Sequence, residues 1–237
     1  MRRPRRHRRT FLGNEFCLRR SRPCPDCRCP SVADNEARVN PEPTDVDSNP
    51  VSVLRQGSRY LVADAGGNDL LSASKLGSFK TLAVFPNTMV DAPPFLGLPP
   101  GARMSMDAVP TAVAIGPDGA MYVSQLTGFP FPAGGSTIWR IAGGSAPTAF
   151  ATGLTNVTDL AFAADGSLYA VQLATNGLLS GSLSGSLVRV TPGASSHATV
   201  AGDLFAPYGI AIRGGSAYVT TCSVCTGGGQ VLRVPLG

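Results

Sequence analysis

The chain has 237 residues, 43% hydrophobic and only 15% charged, with 28 glycines and 20 prolines. That composition fits one large domain of many short elements joined by tight turns, and it excludes global disorder and, lacking any run of roughly 18 apolar residues, a membrane-spanning helix. The net charge of +5 is local: ten arginines before Pro30 stand against Glu15 and Asp26, leaving −3 on the remainder, so no nucleic-acid partner is expected of the folded body.

Residues 1–30 show no hydrophobic periodicity of strand or helix type. Arg8-Arg9-Thr10-Phe11-Leu12 resembles the core of a twin-arginine export signal, but Gly13-Asn14-Glu15 and further arginines follow where an apolar stretch should stand. An arginine-rich nucleic-acid arm would be expected to carry interleaved aromatics or a folded recognition motif. Cys24, Cys27 and Cys29 supply three thiolates without a histidine at finger spacing. Pairing Cys24 and Cys27 with the distant Cys222 and Cys225 is arithmetically open but structurally arbitrary. The Arg, Pro and Cys content matches translation of a GC-rich gene in a wrong frame or from a wrong start. Residues 1–30 are therefore expected to be a disordered tail, with 31–48 a linker and the remnant of a lost blade.

From residue 49 a repeat takes over. The first unit runs Asn49-Pro50-Val51-Ser52-Val53 and reaches Arg59 to Asp64. The second runs Val109-Pro110-Thr111-Ala112-Val113 through Pro117-Asp118-Gly119 to Met121-Tyr122-Val123-Ser124-Gln125. The third runs Asn156 to Leu160 through Ala164-Asp165-Gly166 to Leu168-Tyr169-Ala170-Val171-Gln172. The fourth runs Ala206-Pro207-Tyr208-Gly209-Ile210 through Gly214-Gly215 to Ala217-Tyr218-Val219-Thr220-Thr221. Each reads as an antiparallel strand pair about a tight turn. Third strands follow at Ile138–Ile141, Leu187–Val190 and Val231–Val234, more weakly at Leu70–Ala73; fourth strands follow at Phe79–Phe85, Thr148–Ala151 and Ala198–Ala201.

Four antiparallel strands per unit predict an all-β propeller with four recognisable four-stranded blades, at about 49–86, 109–152, 153–203 and 204–237. Asp64, Gln125, Gln172 and Thr221 recur at intervals of 61, 47 and 49 residues. The long first interval holds a Pro-rich segment, 87–108, expected to cross one face as an inter-blade loop outside any sheet ladder. The last unit stops after its third strand.

Several of these segments carry a family resemblance. Asp47-Ser48-Asn49-Pro50, the run Arg59 to Asn68, Ala92-Pro93-Pro94-Phe95-Leu96 and above all Gln125-Leu126-Thr127-Gly128-Phe129-Pro130-Phe131-Pro132 resemble the ScyD/ScyE family. The resemblance covers Ser31 to Gly237. It implies a six-bladed, NHL-like propeller, normally exported to the periplasm or the extracellular space, without an assigned reaction for most members. Two departures stand out: the upstream blades are replaced by the arginine-rich tail, and Val51-Ser52 stands where a Tyr-Gly pair is expected. The chain is accordingly read as an incomplete six-bladed ring, an N-terminally truncated product.

Propellers bind ligands at the central channel or on the face made by inter-blade loops. Asp64, Gln125, Gln172 and Thr221 end the second strands, and with Asn68 and Asn176 they could form an oxygen-rich site for Ca²⁺. The competing reading has these side chains hydrogen-bonding the loop backbone. Asp118 and Asp165 sit in turns that favour aspartate for their geometry, and Arg140, Arg189 and Arg233 repeat at one strand position. Cys222 and Cys225 can close a small disulfide or stay as thiols, and Phe129, Phe131 and Trp139 can line a groove or pack between blades. With only His7 and His197, and no GxSxG, P-loop or HExxH, a Ser–His hydrolase is not expected. The expected function is a propeller scaffold binding a small molecule or protein on its loop face. The alternative is a divalent-cation-dependent lactonase-like enzyme.

Overall fold

The computed structural model describes residues 47–237. The tail motifs, Cys17, Cys24, Cys27, Cys29 and most of the 31–48 linker, lie outside the described residues. The first blade is β1 (Pro50–Gln56), β2 (Arg59–Asp64), β3 (Asp69–Ser74) and β4 (Phe79–Val84). A separate hairpin follows, β5 (Thr88–Asp91) and β6 (Arg103–Met106). The second blade is β7 (Pro110–Ile115), β8 (Met121–Gln125), β9 (Ser136–Ile141) and β10 (Thr148–Leu154). The third is β11 (Val157–Phe162), β12 (Leu168–Gln172), β13 (Ser184–Arg189) and β14 (Ala198–Phe205). The fourth is β15 (Ile210–Arg213), β16 (Ser216–Thr221) and β17 (Gln230–Pro235). Each blade is an antiparallel meander in chain order, three of them four-stranded and the last three-stranded among the described residues.

The all-β propeller expected from the repeat is what forms. The weak third strand of the first unit is fully paired, from Arg59↔Ser74 to Asp64↔Asp69. The Pro-rich segment differs from expectation. Its ends pair with each other, from Thr88↔Met106 to Asp91↔Arg103, while Pro93, Pro94, Pro99 and Pro100 occupy the tip, where no ladder donor is needed.

Three apolar layers lie between successive blades, and a fourth, smaller cluster of Val62, Leu71 and Ala73 belongs to blade one alone. Leu61, Leu70 and Phe85 meet Val123 and Ile141 between blades one and two. Tyr122, Ile138 and Leu154 meet Val157, Leu160 and Val188 between blades two and three. Tyr169, Val171 and Leu187 meet Ala217 and Val219 between blades three and four. Strand alternation creates these layers, because successive residues of one strand face opposite neighbours. The inner strands β1, β7, β11 and β15 adjoin in that order, and among the described residues no comparable packing joins β15 to β1.

Local sequence fixes the turns. In Gly116-Pro117-Asp118-Gly119, the Gly119 N–H donates to the Gly116 carbonyl at 2.9 Å, and Asp118 Oδ1 accepts from the Ala120 N–H at 3.1 Å. Gly116 has no alternative there: a Cβ would lie 2.4 Å from the Tyr122 ring.

Candidate functional site

Because the strands alternate in direction, the ends of β2, β8, β12 and β16 fall on one face, with the inter-blade connections. This loop face carries all six candidate positions. Asp64 is fully buried, and both of its oxygens are engaged. Oδ2 accepts from Ser48 Oγ at 2.6 Å, and Oδ1 accepts from the backbone N–H groups of Asn49, Gly66 and Gly67 at 2.6, 3.2 and 3.3 Å. Gln125 accepts from the Trp139 indole and donates to the Gly135 carbonyl at 3.4 Å. Gln172 Oε1 accepts from the Thr155 N–H at 2.7 Å while Nε2 donates to Ser186 Oγ at 2.9 Å.

These bonds tie each side chain to its own blade and connecting loops. A backbone clasp accompanies them: the N–H groups of Ala65, Leu126 and Leu173 donate to the carbonyls of Asn49, Val109 and Asn156 at 2.9, 2.9 and 3.0 Å. In the fourth blade Ser223 donates to Ala206 at 3.1 Å. Asn68 reaches the next blade, its Oδ1 accepting from the Val109 N–H at 2.9 Å. Asn176 is exposed in the β12–β13 loop, and Thr221 is buried below the β16–β17 loop. The residues thus share a face, but their hydrogen bonds run to loops rather than to a common centre. Calcium needs six to eight oxygens aimed at one point. With the Asp64, Gln125 and Gln172 oxygens spent on backbone and indole donors, the set as arranged does not fit that cation.

Titratable groups elsewhere are also engaged. Asp118 Oδ2 accepts from Arg140 Nε and the Arg140 terminal nitrogen at 2.9 and 2.7 Å, and from the Tyr122 hydroxyl at 3.0 Å. The Arg140 hydrogen bonds hold the Asp118 carboxyl below its ordinary value. Burial pushes the Tyr122 hydroxyl up. Asp165, on the equivalent turn, is lowered by the Ser167 backbone N–H, and Arg189 donates to Ser167 Oγ at 2.7 Å. Arg233 donates to Ser216 Oγ at 3.1 Å. The recurring arginines therefore brace the first turns of the second, third and fourth blades. His197 bridges a loop, Nδ1 accepting from the Thr191 N–H at 3.1 Å and Nε2 donating to the Thr152 carbonyl at 2.8 Å. With both ring nitrogens so used, it activates no nucleophile.

Asp159 was not singled out by sequence, although it is the only acidic residue on the four inner strands. Its Oδ2 accepts from the Ile210 N–H at 2.8 Å, joining blade three to blade four, and burial raises its carboxyl against that bond and the one from Leu160. Beside the ring positions, the loop face exposes an apolar platform. Phe95 (68% exposed) and Leu98 (52%) stand at the tip of the β5–β6 excursion, with Met89 and Leu96 also exposed. Phe95 meets Phe129 edge-on with ring centroids 6.2 Å apart, and Phe129 meets Phe131 the same way at 6.2 Å. Among the described residues no helix is long and apolar enough to cross a membrane.

No family model and no curated protein sequence matches the chain. Solved structures do. A provisionally named gluconolactonase aligns with a TM-score of 0.50 at 16% identity, over 82% of this chain and 65% of its own. A gluconolactonase from Xanthomonas campestris aligns at 0.50 and 14% identity, over 78% of this chain and 57% of its own. Virginiamycin B lyase from Staphylococcus aureus gives 0.48 and 14% identity, over 80% of this chain and 56% of its own. The chain spans less than two thirds of each of these proteins. At such identity the two gluconolactonase alignments speak to the fold alone, and that fold is a β-propeller.

Proposed function

We propose that the protein is a ScyD/ScyE-like binding scaffold that engages a small molecule or a protein through its loop face, acting outside the cytoplasm as that family does. The observation that carries this reading is the group of exposed apolar side chains Met89, Phe95, Leu96 and Leu98 on the β5–β6 excursion, beside a loop face where Asp64, Gln125 and Gln172 are held by hydrogen bonds. Several large apolar side chains exposed on one short excursion are costly to keep in water and point to an interaction site. The alternative, a divalent-cation-dependent lactonase, would require Asp64, Gln125 and Gln172 to give up their present partners.

The test is a pair of measurements on the full chain. The fluorescent apolar probe anilinonaphthalene sulfonate is expected to bind the native protein and to lose most of its signal in the Phe95→Ser/Leu98→Ser double variant, with unchanged circular dichroism. Gluconolactone hydrolysis is expected to stay at the buffer rate with and without calcium. Probe binding indifferent to the double substitution removes the platform as the site, and calcium-stimulated hydrolysis replaces the scaffold reading with the enzymatic one.

A further inference from the structure

The β16–β17 loop carries a motif that the binding reading leaves unused. Cys222 and Cys225 form a disulfide across Ser223 and Val224, with Cα atoms 5.2 Å apart. Both cysteines are half-buried and line an open cleft of about 360 Å³, together with Thr221, Ser223, Gly228 and Gln230. One wall of that cleft is Gly227-Gly228-Gly229. A Cβ at Gly227 would meet nothing within 4 Å, and one at Gly228 would sit 3.5 Å from Cys225 Cβ. No side chain of the glycine run covers the bridge on the cleft side.

Backbone hydrogen bonds hold the loop alongside the disulfide. The Cys222 N–H donates to the Phe205 carbonyl at 2.8 Å, the Ser223 N–H to Ala206 at 3.1 Å and the Cys225 N–H to Cys222 at 3.0 Å. Below it, β16 and β17 are paired up to Thr221↔Gln230. A bridge spanning three positions closes a very short loop, where the chain-entropy gain of a disulfide is least. A bond that contributes little to the fold, stands at the surface and opens into a cleft is placed for chemistry.

We propose that Cys222–Cys225 is a thiol–disulfide exchange site whose co-reactant is a reduced, cysteine-bearing peptide or protein presenting two thiols to the cleft. A partner thiolate bonds to one of the two sulfurs, the Cys222–Cys225 bond breaks, and the other sulfur leaves as a thiolate. The partner's second thiol, after losing its proton, displaces the first sulfur. The partner leaves oxidised to a disulfide, and Cys222 and Cys225 remain as a dithiol holding the two electrons.

Glutathione is the probe. The full-length protein is incubated under native conditions with reduced and oxidised glutathione, digested with trypsin, and followed by mass spectrometry on the peptide 214–233, which contains no other cysteine. In the wild type the disulfide is expected to exchange within about a hundredfold of the rate in denaturant, while circular dichroism stays native. Cys225→Ser is expected to accumulate one glutathione on Cys222. Slower native exchange than that, or loss of native structure on reduction, overturns the proposal and makes the bridge a clamp. If the single variant does not fold, the wild-type rate comparison decides alone.

Discussion

Two of the blade junctions are built from different materials. Between the second and third blades, Tyr122 is wedged edge-on between Phe150 and Phe162, with ring centroids 4.8 and 4.9 Å away. The polar links at that seam include Thr111 Oγ1 donating to the Val157 carbonyl and His197 Nε2 donating to the Thr152 carbonyl, both at 2.8 Å. Between the third and fourth blades the layer is aliphatic apart from Tyr169, and its polar link includes a carboxyl, Asp159 on the Ile210 N–H, beside Thr158 donating to the Tyr208 carbonyl at 2.6 Å. One junction holds mainly through area and ring geometry. The other holds partly through a half-buried ionisable group, Asp159.

The largest test of this contrast is Tyr122→Ala. It removes a buried ring with two aromatic partners, a loss of about 3–5 kcal/mol by analogy with other aromatic truncations. For a domain of this size that corresponds to a fall in Tm of roughly 10 °C, read by circular dichroism. A fall of only a degree or two would mean that the junction does not carry the stability assigned to it.

Asp159→Asn comes next and separates the junctions by pH. Burial raises the folded-state carboxyl above its unfolded value, so the folded chain binds more protons than the unfolded one between those two values. Stability from this group is full below the unfolded value and is lost as pH rises through the folded one. The asparagine keeps an acceptor for the Ile210 N–H and cannot ionise. Its Tm is therefore expected to match wild type at acid pH and exceed it by a few degrees at neutral pH. Parallel Tm–pH curves for the two proteins would sink this account.

The architecture was readable because a propeller repeats. Tyr122, Tyr169 and Tyr218 recur three residues after a turn glycine, and the apolar strands around them alternate as packing on both sides demands. What stayed hidden depends on neighbours remote in sequence. Nothing in Thr88–Asp91 announces pairing with Arg103–Met106, because the prolines between them read as a breaker when they are in fact the tip. Asp64 and Gln172 looked like possible cation ligands since a side-chain oxygen is the same atom whether it faces an ion or an amide. Only the placement of Ser48, Asn49 and the Thr155 N–H shows what they bond. Asp159 did carry a signal, as one acid among inner strands otherwise free of them, but its partner Ile210 lies 51 residues away.

The smallest effect belongs at the rim of the aromatic junction, in Asp118→Asn. The Asp118–Arg140 pair is strong in geometry, with a shortest separation of 2.7 Å, but both side chains are more than a third exposed, so water and salt screen it. The Tm at neutral pH is expected to move less than for either other variant. The pH sense is opposite to that of Asp159. Arg140 lowers the folded carboxyl, so its contribution is present above the unfolded value and lost as pH falls through the folded one. The difference between wild type and variant should therefore vanish on acidification, and shrink in about 1 M salt, where the screening length is about 3 Å. A difference that survives both would mean that Asp118 acts through its turn bond to the Ala120 N–H rather than through its charge, and the rim would then be a matter of loop geometry alone.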